Sequence, residues 1–292
     1  MSKTANGYRH TSALGKRCLP VPRTHRALSA TVYGRHTYAT DMNADRYETF
    51  AEKYDSLFGP FAEHDSQTVS FYRQLFAHHD VRQVLDCACG TGRDLHLFHS
   101  LGCDVTGSDI SPAMLAQAER NLASHNIIDV PLMQADFHEF PPAMTNDYDA
   151  VACLSSAIFE LPDMVALQCA FGSMRGRLRD GGLLILTTGI TDRMWHEKPR
   201  FTPEVNLGDF TRVSVIDYLE YGVRLKLIDL CHDGSGTPTA VWSIRYDSVF
   251  LKDDIETALQ TAGFRSHRFY ADFEFHPYDS ETSNMLIAVA VK

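Results

Sequence analysis

Apolar and polar positions from about residue 82 onward alternate between two rhythms, short apolar runs and stretches with helical spacing. Residues 82–87 form an apolar run of strand length, and 92–100 follow as a helix. Residues 104–108 read as a short strand. Ser111 and Pro112 suit the N-cap and first turn of a helix, whose apolar face is Met114, Leu115, Ala118 and Leu122. Residues 130–134 and 148–154 read as strands, and 162–178 as a helix. The turn Arg179-Asp180-Gly181-Gly182 leads into a buried strand at 183–188. Upstream, residues 44–54 and 61–78 carry helix-like patterns. Strands that alternate with helices imply βαβ units with right-handed crossovers. The expected fold is therefore a Rossmann-like, doubly wound, mostly parallel α/β sheet.

The rhythm changes after Thr188. A loop holding Trp195, Pro199 and Pro203 leads into three period-2 segments, at 211–219, 223–231 and 240–250. With no helix between them, they predict an antiparallel strand insertion after the fifth strand. Residues 252–262 return to a helix that ends at Gly263, a C′ glycine. Residues 264–271 and 285–291 are two last strands, which predict an antiparallel last strand. The domain reading is a leader at 1–41 and one domain at 42–292. Within that domain lie N-terminal helices (43–80), a core (82–188), the insertion (189–250) and a C-terminal helix and strands (251–292).

Charge separates the leader from the body. The chain of 292 residues carries 27 Lys/Arg and 37 Asp/Glu, a net charge of −10. Seven of the basic residues (Lys3, Arg9, Lys16, Arg17, Arg23, Arg26 and Arg35) fall in the first 41, against Asp41 alone. The leader composition fits a transit segment, a disordered leader or an extension before a start at Met42. The acidic body argues against nucleic acid and anionic lipid as partners. No run approaches the roughly 18 apolar residues of a membrane span. The seven cysteines include no C-x-x-C pair, and several lie in apolar strands, which points to a reducing, cytoplasmic setting. An organelle is the alternative if the leader is a transit peptide.

The chemistry concentrates in Asp86-Cys87-Ala88-Cys89-Gly90-Thr91-Gly92-Arg93. A strand ends in an acid, and a glycine turn opens a helix. Gly90 and Gly92 allow close backbone approach to a ligand, and the helix N-terminus offers free N–H groups. Asp109 ends the second strand, where a carboxylate can hold both hydroxyls of a ribose. The third glycine of a dinucleotide fingerprint is missing, because Leu95 stands there. Asp86 would also repel a pyrophosphate. It suits a cation, such as the α-ammonium of a methionine moiety. A ligand with a ribose, a zwitterionic tail and no phosphate is S-adenosylmethionine.

Asp86-x-x-x-Gly90-x-Gly92, with Asp109 and then Asp136-Phe137 after the third strand, resembles the motifs of class I S-adenosylmethionine-dependent methyltransferases. The resemblance runs over about residues 45–292. It implies that Asp86, Gly90 and Gly92 bind the methionine part and Asp109 the ribose. Asp136 and Phe137 would bracket the adenine, with Ile110 on one of its faces. More narrowly, Tyr47, Tyr54 and Asp55 and the loop after the fourth strand, Cys153-Leu154-Ser155-Ser156-Ala157-Ile158-Phe159, are similar to the glycine/sarcosine N-methyltransferase-like branch. That likeness implies a cofactor-covering role for Tyr54. Arg93, Met114 and Cys153 complete the candidate cofactor set. Core packing is the alternative for Tyr54, and a solvated helix start for Arg93. The branch's Arg-Asn-Tyr-Asp segment after the fifth strand is absent, since Thr188-Gly189-Ile190-Thr191-Asp192 stands there, which speaks against glycine as acceptor.

The expected activity is transfer of a methyl group from S-adenosylmethionine to a small-molecule acceptor, with no readable catalytic base. A cofactor-binding regulator without turnover and a nucleotide-dependent oxidoreductase are the alternatives. Cys87 and Cys89, one strand period apart, would share a face, but no nearby Cys/His pair completes a metal site, and none is expected. His196, Arg200, Arg212, Tyr218, Arg224 and Tyr246 lie in the insertion expected to roof the site, and are acceptor-binding candidates by location.

Overall fold

The computed structural model describes residues 47, 51–55, 59–142, 144, 147–206, 210–232 and 238–292. The leader at 1–41 lies outside the described residues.

Five parallel strands carry the fold. They are β1 (Gln83–Asp86), β2 (Asp104–Asp109), β3 (Leu132–Gln134), β4 (Tyr148–Cys153) and β5 (Leu178–Thr188). Two more, β10 (Ser266–Tyr270) and β11 (Leu286–Val291), complete a seven-stranded sheet of order β10-β11-β5-β4-β1-β2-β3. β11 runs antiparallel to both β5 and β10, as the helix-less end of the sequence implied. The order reverses between β1 and β4, so the crevice of this open sheet lies at their carboxyl ends.

Side-chain alternation builds a core on each face. Leu85, Val151, Leu184, Leu186 and Ala288 join one apolar cluster. Their chain neighbours Val84, Ala150, Ala152, Ile185 and Ile287 join the other. The first cluster is closed by α5 (Met164–Arg177) and α7 (Lys252–Ala262). The second is closed by α2 (Ser66–His78) and α3 (Arg93–Ser100), with Leu122 of α4 (Pro112–Ser124). Local chemistry sets the helix starts. Asp65 accepts from Thr68 N at 2.9 Å, Ser111 from Met114 N at 3.3 Å, and Asp163 from Ala166 N at 2.9 Å. α7 stops at Gly263, whose φ is +85°.

Four elements differ from the sequence expectation. α2 begins at Ser66 rather than near 61, because the Asp65 cap decides its start. β5 begins already at Leu178. A short helix, α6 (Asp192–Glu197), fills part of the expected loop and is capped by Thr191. The insertion is a sheet of four strands rather than three, β6 (Phe201–Asn206), β7 (Phe210–Tyr218), β8 (Val223–Cys231) and β9 (Pro238–Tyr246), in that order. Pro203 made β6 look like loop. β6 pairs only with β7, and at a sheet edge a residue with no N–H can be accommodated.

Cys87 and Cys89 also depart from expectation. β1 ends at Asp86, so strand alternation stops there, and the two cysteines enter opposite core clusters.

Candidate functional site

The loop after β1 is shaped by two left-handed glycines. Gly90 has φ +52° and Gly92 φ +85°. A Cβ on Gly92 would also stand 3.1 Å from Ala118 Cβ of α4. These angles are strained for residues with a side chain, so the Gly-x-Gly spacing follows from the turn itself.

Asp109 ties the loop to the end of β2. Its Oδ2 accepts from Gly90 N at 2.9 Å and its Oδ1 from Ser111 N at 2.9 Å. A carboxylate has about four acceptor positions, so these bonds orient it without exhausting it. Ser111, not Asp109, caps α4.

Asp86 is 1% exposed, and its Oδ1 is buried with no hydrogen-bond partner among the described residues. Burial, then the neighbouring Asp94 carboxyl, push its pKa well above the usual carboxylate range, while the Ala88 N–H opposes this. Burial also raises Asp94, to about 6, against the pull of Arg93, and raises Asp109. Three carboxyls therefore sit close together around a glycine turn. Removing one such group from water without a partner is costly. A ligand that brings positive charge here lowers that cost.

The N-terminal segment closes over this loop. The short helix α1 (Ala51–Tyr54) sets the Tyr54 ring 3.6 Å from where a Cβ of Gly90 would stand. Burial and then Asp109 raise the Tyr54 phenol, which stays protonated. Asp55 accepts from the Thr91 hydroxyl and, at 2.7 Å, from Asn121 Nδ2. The same amide donates to Thr91 O at 3.1 Å. Asp55 thereby clamps the loop to α4. Sequence reasoning placed Asp55 only in the leader motif and passed over Asn121 and Asp94. The one available signal was the charge of Asp94 in the first turn of the helix that follows Gly92.

Arg93 is not a solvated helix start. Its guanidinium donates to Pro60 O at 2.7 Å, Phe61 O at 3.1 Å and Glu63 O, pinning the segment before α2 onto the start of α3. Met114 is 1% exposed in the first turn of α4. Cys153 is 1% exposed, with its thiol against that of Cys87, so it belongs to the floor beneath the loop. Ile110 and Phe137 are half-buried. Asp136 is exposed, and its carboxylate accepts from His138 N at 2.8 Å, a turn-forming bond. It remains at the carboxyl end of β3, one strand over from Asp109.

In the roof, Arg212 is 2% exposed and forms a two-point pair with Asp229, at 2.7 and 2.9 Å. Arg224 stands opposite Asp217 and Arg245, on the sheet face away from buried Ile216, Leu227 and Ile244. Arg200 and His196 are exposed, and Arg200 pairs with Asp217 at 3.4 Å. Tyr218 donates to Pro199 O at 3.3 Å. Tyr246 is buried beside Phe159, with ring centroids 5.8 Å apart. Of the six roof candidates, Arg212, Tyr218 and Tyr246 face the core side.

A Rossmann-like sheet with three carboxyls gathered around the glycine turn at its carboxyl edge is what the fold and the loop define. Residues 84–182 match the family described as a methyltransferase domain. A glycine/sarcosine N-methyltransferase of Parasynechococcus marenigrum is 32% identical over 161 residues, 53% of this chain, and the chain spans about half of that relative's length, 55%. The enzyme of the same description from Aphanothece halophytica is 27% identical over 252 residues, covering 84% of this chain and 89% of its own. Among solved structures, a sugar N-methyltransferase from a Streptoalloteichus species superposes with a TM-score of 0.61 at 25% identity, covering 92% of this chain and 99% of that one. The match to the methyltransferase-domain family is confined to residues 84–182, and the fold as a whole is similar to that of S-adenosylmethionine-dependent methyltransferases of known structure.

Proposed function

We propose that the protein transfers the methyl group of S-adenosylmethionine to a small acceptor enclosed between the carboxyl edge of the sheet and the antiparallel roof. The observation that carries this reading is the buried, unpartnered Oδ1 of Asp86 beside the glycine turn. A ligand with a methionine ammonium and a sulfonium would supply the missing positive charge, whereas a pyrophosphate would worsen it.

In this reading Asp86 and the Gly90–Gly92 turn take the methionine end. Asp109, already oriented by two backbone N–H groups, takes the ribose hydroxyls. Ile110, Met114, Asp136 and Phe137 surround the adenine, and Tyr54 closes over the loop. Cys153 contributes the floor, and Arg93 acts through the segment it anchors. The cofactor supplies an already activated methyl. The protein's task is then alignment and exclusion of water, and positioning alone can contribute about 7–11 kcal/mol.

The similar N-methyltransferases favour an amine as acceptor. Among the described residues no helix is long and apolar enough to cross a membrane. The acidic charge balance continues to favour a small acceptor over nucleic acid. Titration calorimetry with S-adenosylhomocysteine and with NAD(P) tests the cofactor: the first binds and the second does not. Transfer of label from methyl-labelled cofactor into metabolites then separates an enzyme from a regulator that binds without turnover.

A further inference from the structure

Thr91 stands between Gly90 and Gly92 and is the one side chain by which that turn can be held. Glycines give a turn freedom as well as room, so a turn of this kind keeps one shape when groups outside it fix it. Three side chains do so. Asp109 Oδ2 accepts from Gly90 N at 2.9 Å, Asn121 Nδ2 donates to Thr91 O at 3.1 Å, and Asp55 accepts from the Thr91 hydroxyl. Thr91 is 1% exposed, so its hydroxyl depends on a protein partner.

Asp55 differs from the other two in what it is attached to. Asp109 belongs to β2 and Asn121 to α4, long elements packed into the fold. Asp55 directly follows α1, whose last residue is Tyr54. A helix of four residues is too short to be stable by itself. Ala51 is the one fully buried side chain among its described residues, and Tyr54 and Asp55 are half-buried. The Tyr54 ring nevertheless stands over Gly90, 3.6 Å from where a Cβ would be. Asp55 also accepts from Asn121 Nδ2 at 2.7 Å, so a single carboxylate joins α1, the turn and α4.

We propose that Asp55 is the positioning residue of the cofactor turn: it fixes the turn through Thr91, holds its chain neighbour Tyr54 over Gly90, and so sets how slowly cofactor and product leave. This rests on the reading of the glycine turn as the S-adenosylmethionine site. A ring over Gly90 encloses a ligand seated against that glycine, and release of the ligand draws the ring aside. Tyr54 and Asp55 are adjacent, so that movement pulls Asp55 off Thr91. Breaking the bond in advance therefore speeds release and leaves in place the groups that touch the ligand. Arg93 continues to hold Pro60 O and Phe61 O when Asp55 is replaced, so the N-terminal segment stays attached. Asp55 takes no part in methyl transfer itself.

The test follows labelled S-adenosylhomocysteine leaving the full chain during a chase with excess unlabelled compound. In Asp55→Ala the dissociation rate rises about tenfold, the effect of losing one hydrogen bond to a charged group. Thr91→Val gives a rise of the same order, and Thr91→Ser, which keeps the hydroxyl, recovers most of the difference. The double variant D55A/T91V releases ligand no faster than Asp55→Ala alone, because the second change removes a bond already broken. Melting temperature is read alongside. A purely structural tie lowers Tm and leaves the dissociation rate of folded protein unchanged, and that result overturns the proposal. Release like wild type in Thr91→Val, or a double variant in which the two effects multiply, overturns it as well. If Asp55→Ala does not fold, Thr91→Val against Thr91→Ser carries the same comparison. A wild type that does not bind S-adenosylhomocysteine instead fails the cofactor reading beneath it.

Discussion

The loop between β1 and α3 and the four-stranded roof use charge in opposite ways. In the loop, Asp86, Asp94 and Asp109 sit together around a backbone turn, and one buried carboxylate oxygen is left unsatisfied. In the roof, Arg212 and Asp229 meet in a nearly buried two-point pair on the inner side of the sheet, a charge matched within the fold. A structure that leaves charge uncompensated at one place and compensates it at another separates a ligand's place from a structural one. The difference teaches that Arg212, an acceptor-binding candidate by sequence, is occupied by its own sheet. In the loop it is Asp86 Oδ1 that has no hydrogen-bond partner among the described residues.

The largest effect tests the roof. Arg212→Ala strands Asp229 in the interior, and breaking a buried pair costs about 3–5 kcal/mol. Thermal unfolding should show a large fall in Tm, with S-adenosylhomocysteine affinity per folded molecule unchanged. Replacing both partners, Arg212→Met with Asp229→Leu, should restore most of the stability. A loss of affinity that tracks the roof's stability would erase the contrast between the two regions.

Asp109→Ala comes next. Hydrogen bonds to a charged group contribute about 1.5–3 kcal/mol each, and about 1.4 kcal/mol is a factor of ten. Calorimetry should find S-adenosylhomocysteine at least tenfold weaker, with a modest fall in Tm because Gly90 N and Ser111 N lose their acceptor. Unchanged affinity in folded protein would remove the ribose role.

Asp86→Asn sharpens the electrostatic side. Asp86 and Asp94 hold protons more tightly when folded than when unfolded, Asp94 to about 6. The folded protein without ligand then binds more protons than the unfolded chain above about pH 4, so its stability declines as pH rises through about 6. Denaturant titrations from pH 4 to 8 should show a shallower decline for Asp86→Asn, together with weaker S-adenosylhomocysteine binding. An unaltered slope would mean that Asp86 is compensated by groups within the fold.

The smallest effect is the control. Ser111→Ala removes the N-cap of α4 and should cost about 1 kcal/mol of stability, read by denaturant midpoint, with S-adenosylhomocysteine affinity unchanged. If affinity falls as far as in Asp109→Ala, the loop and the cap act as one unit, and the ribose assignment loses its separate footing.

The sheet was legible because its signals are local. Gly90 and Gly92 declare a turn by their backbone needs, Asp86 and Asp109 mark strand ends, and the apolar runs alternate with helical periods. β6 was not legible, because Pro203 reads as a loop unless the strand is known to lie at an edge. Cys87 and Cys89 misled because a period-2 argument holds only while the strand continues, and β1 stops at Asp86. The anchoring by Arg93 was not legible, because the partners are backbone carbonyls at Pro60, Phe61 and Glu63, which no side-chain pattern advertises.

By itself, then, the sequence determined the α/β class, the glycine turn after β1 and the presence of an antiparallel sheet after β5. Each of these rests on short-range backbone geometry and periodicity, which neighbouring residues specify among themselves. Tertiary structure alone decided that Arg212 is matched by Asp229, that Asp55 clamps Thr91 to Asn121, and that Tyr47 reaches Glu160. These pairs join residues far apart in the chain, and whether a charge is satisfied or left seeking a partner depends on what folding brings beside it and how much water it removes.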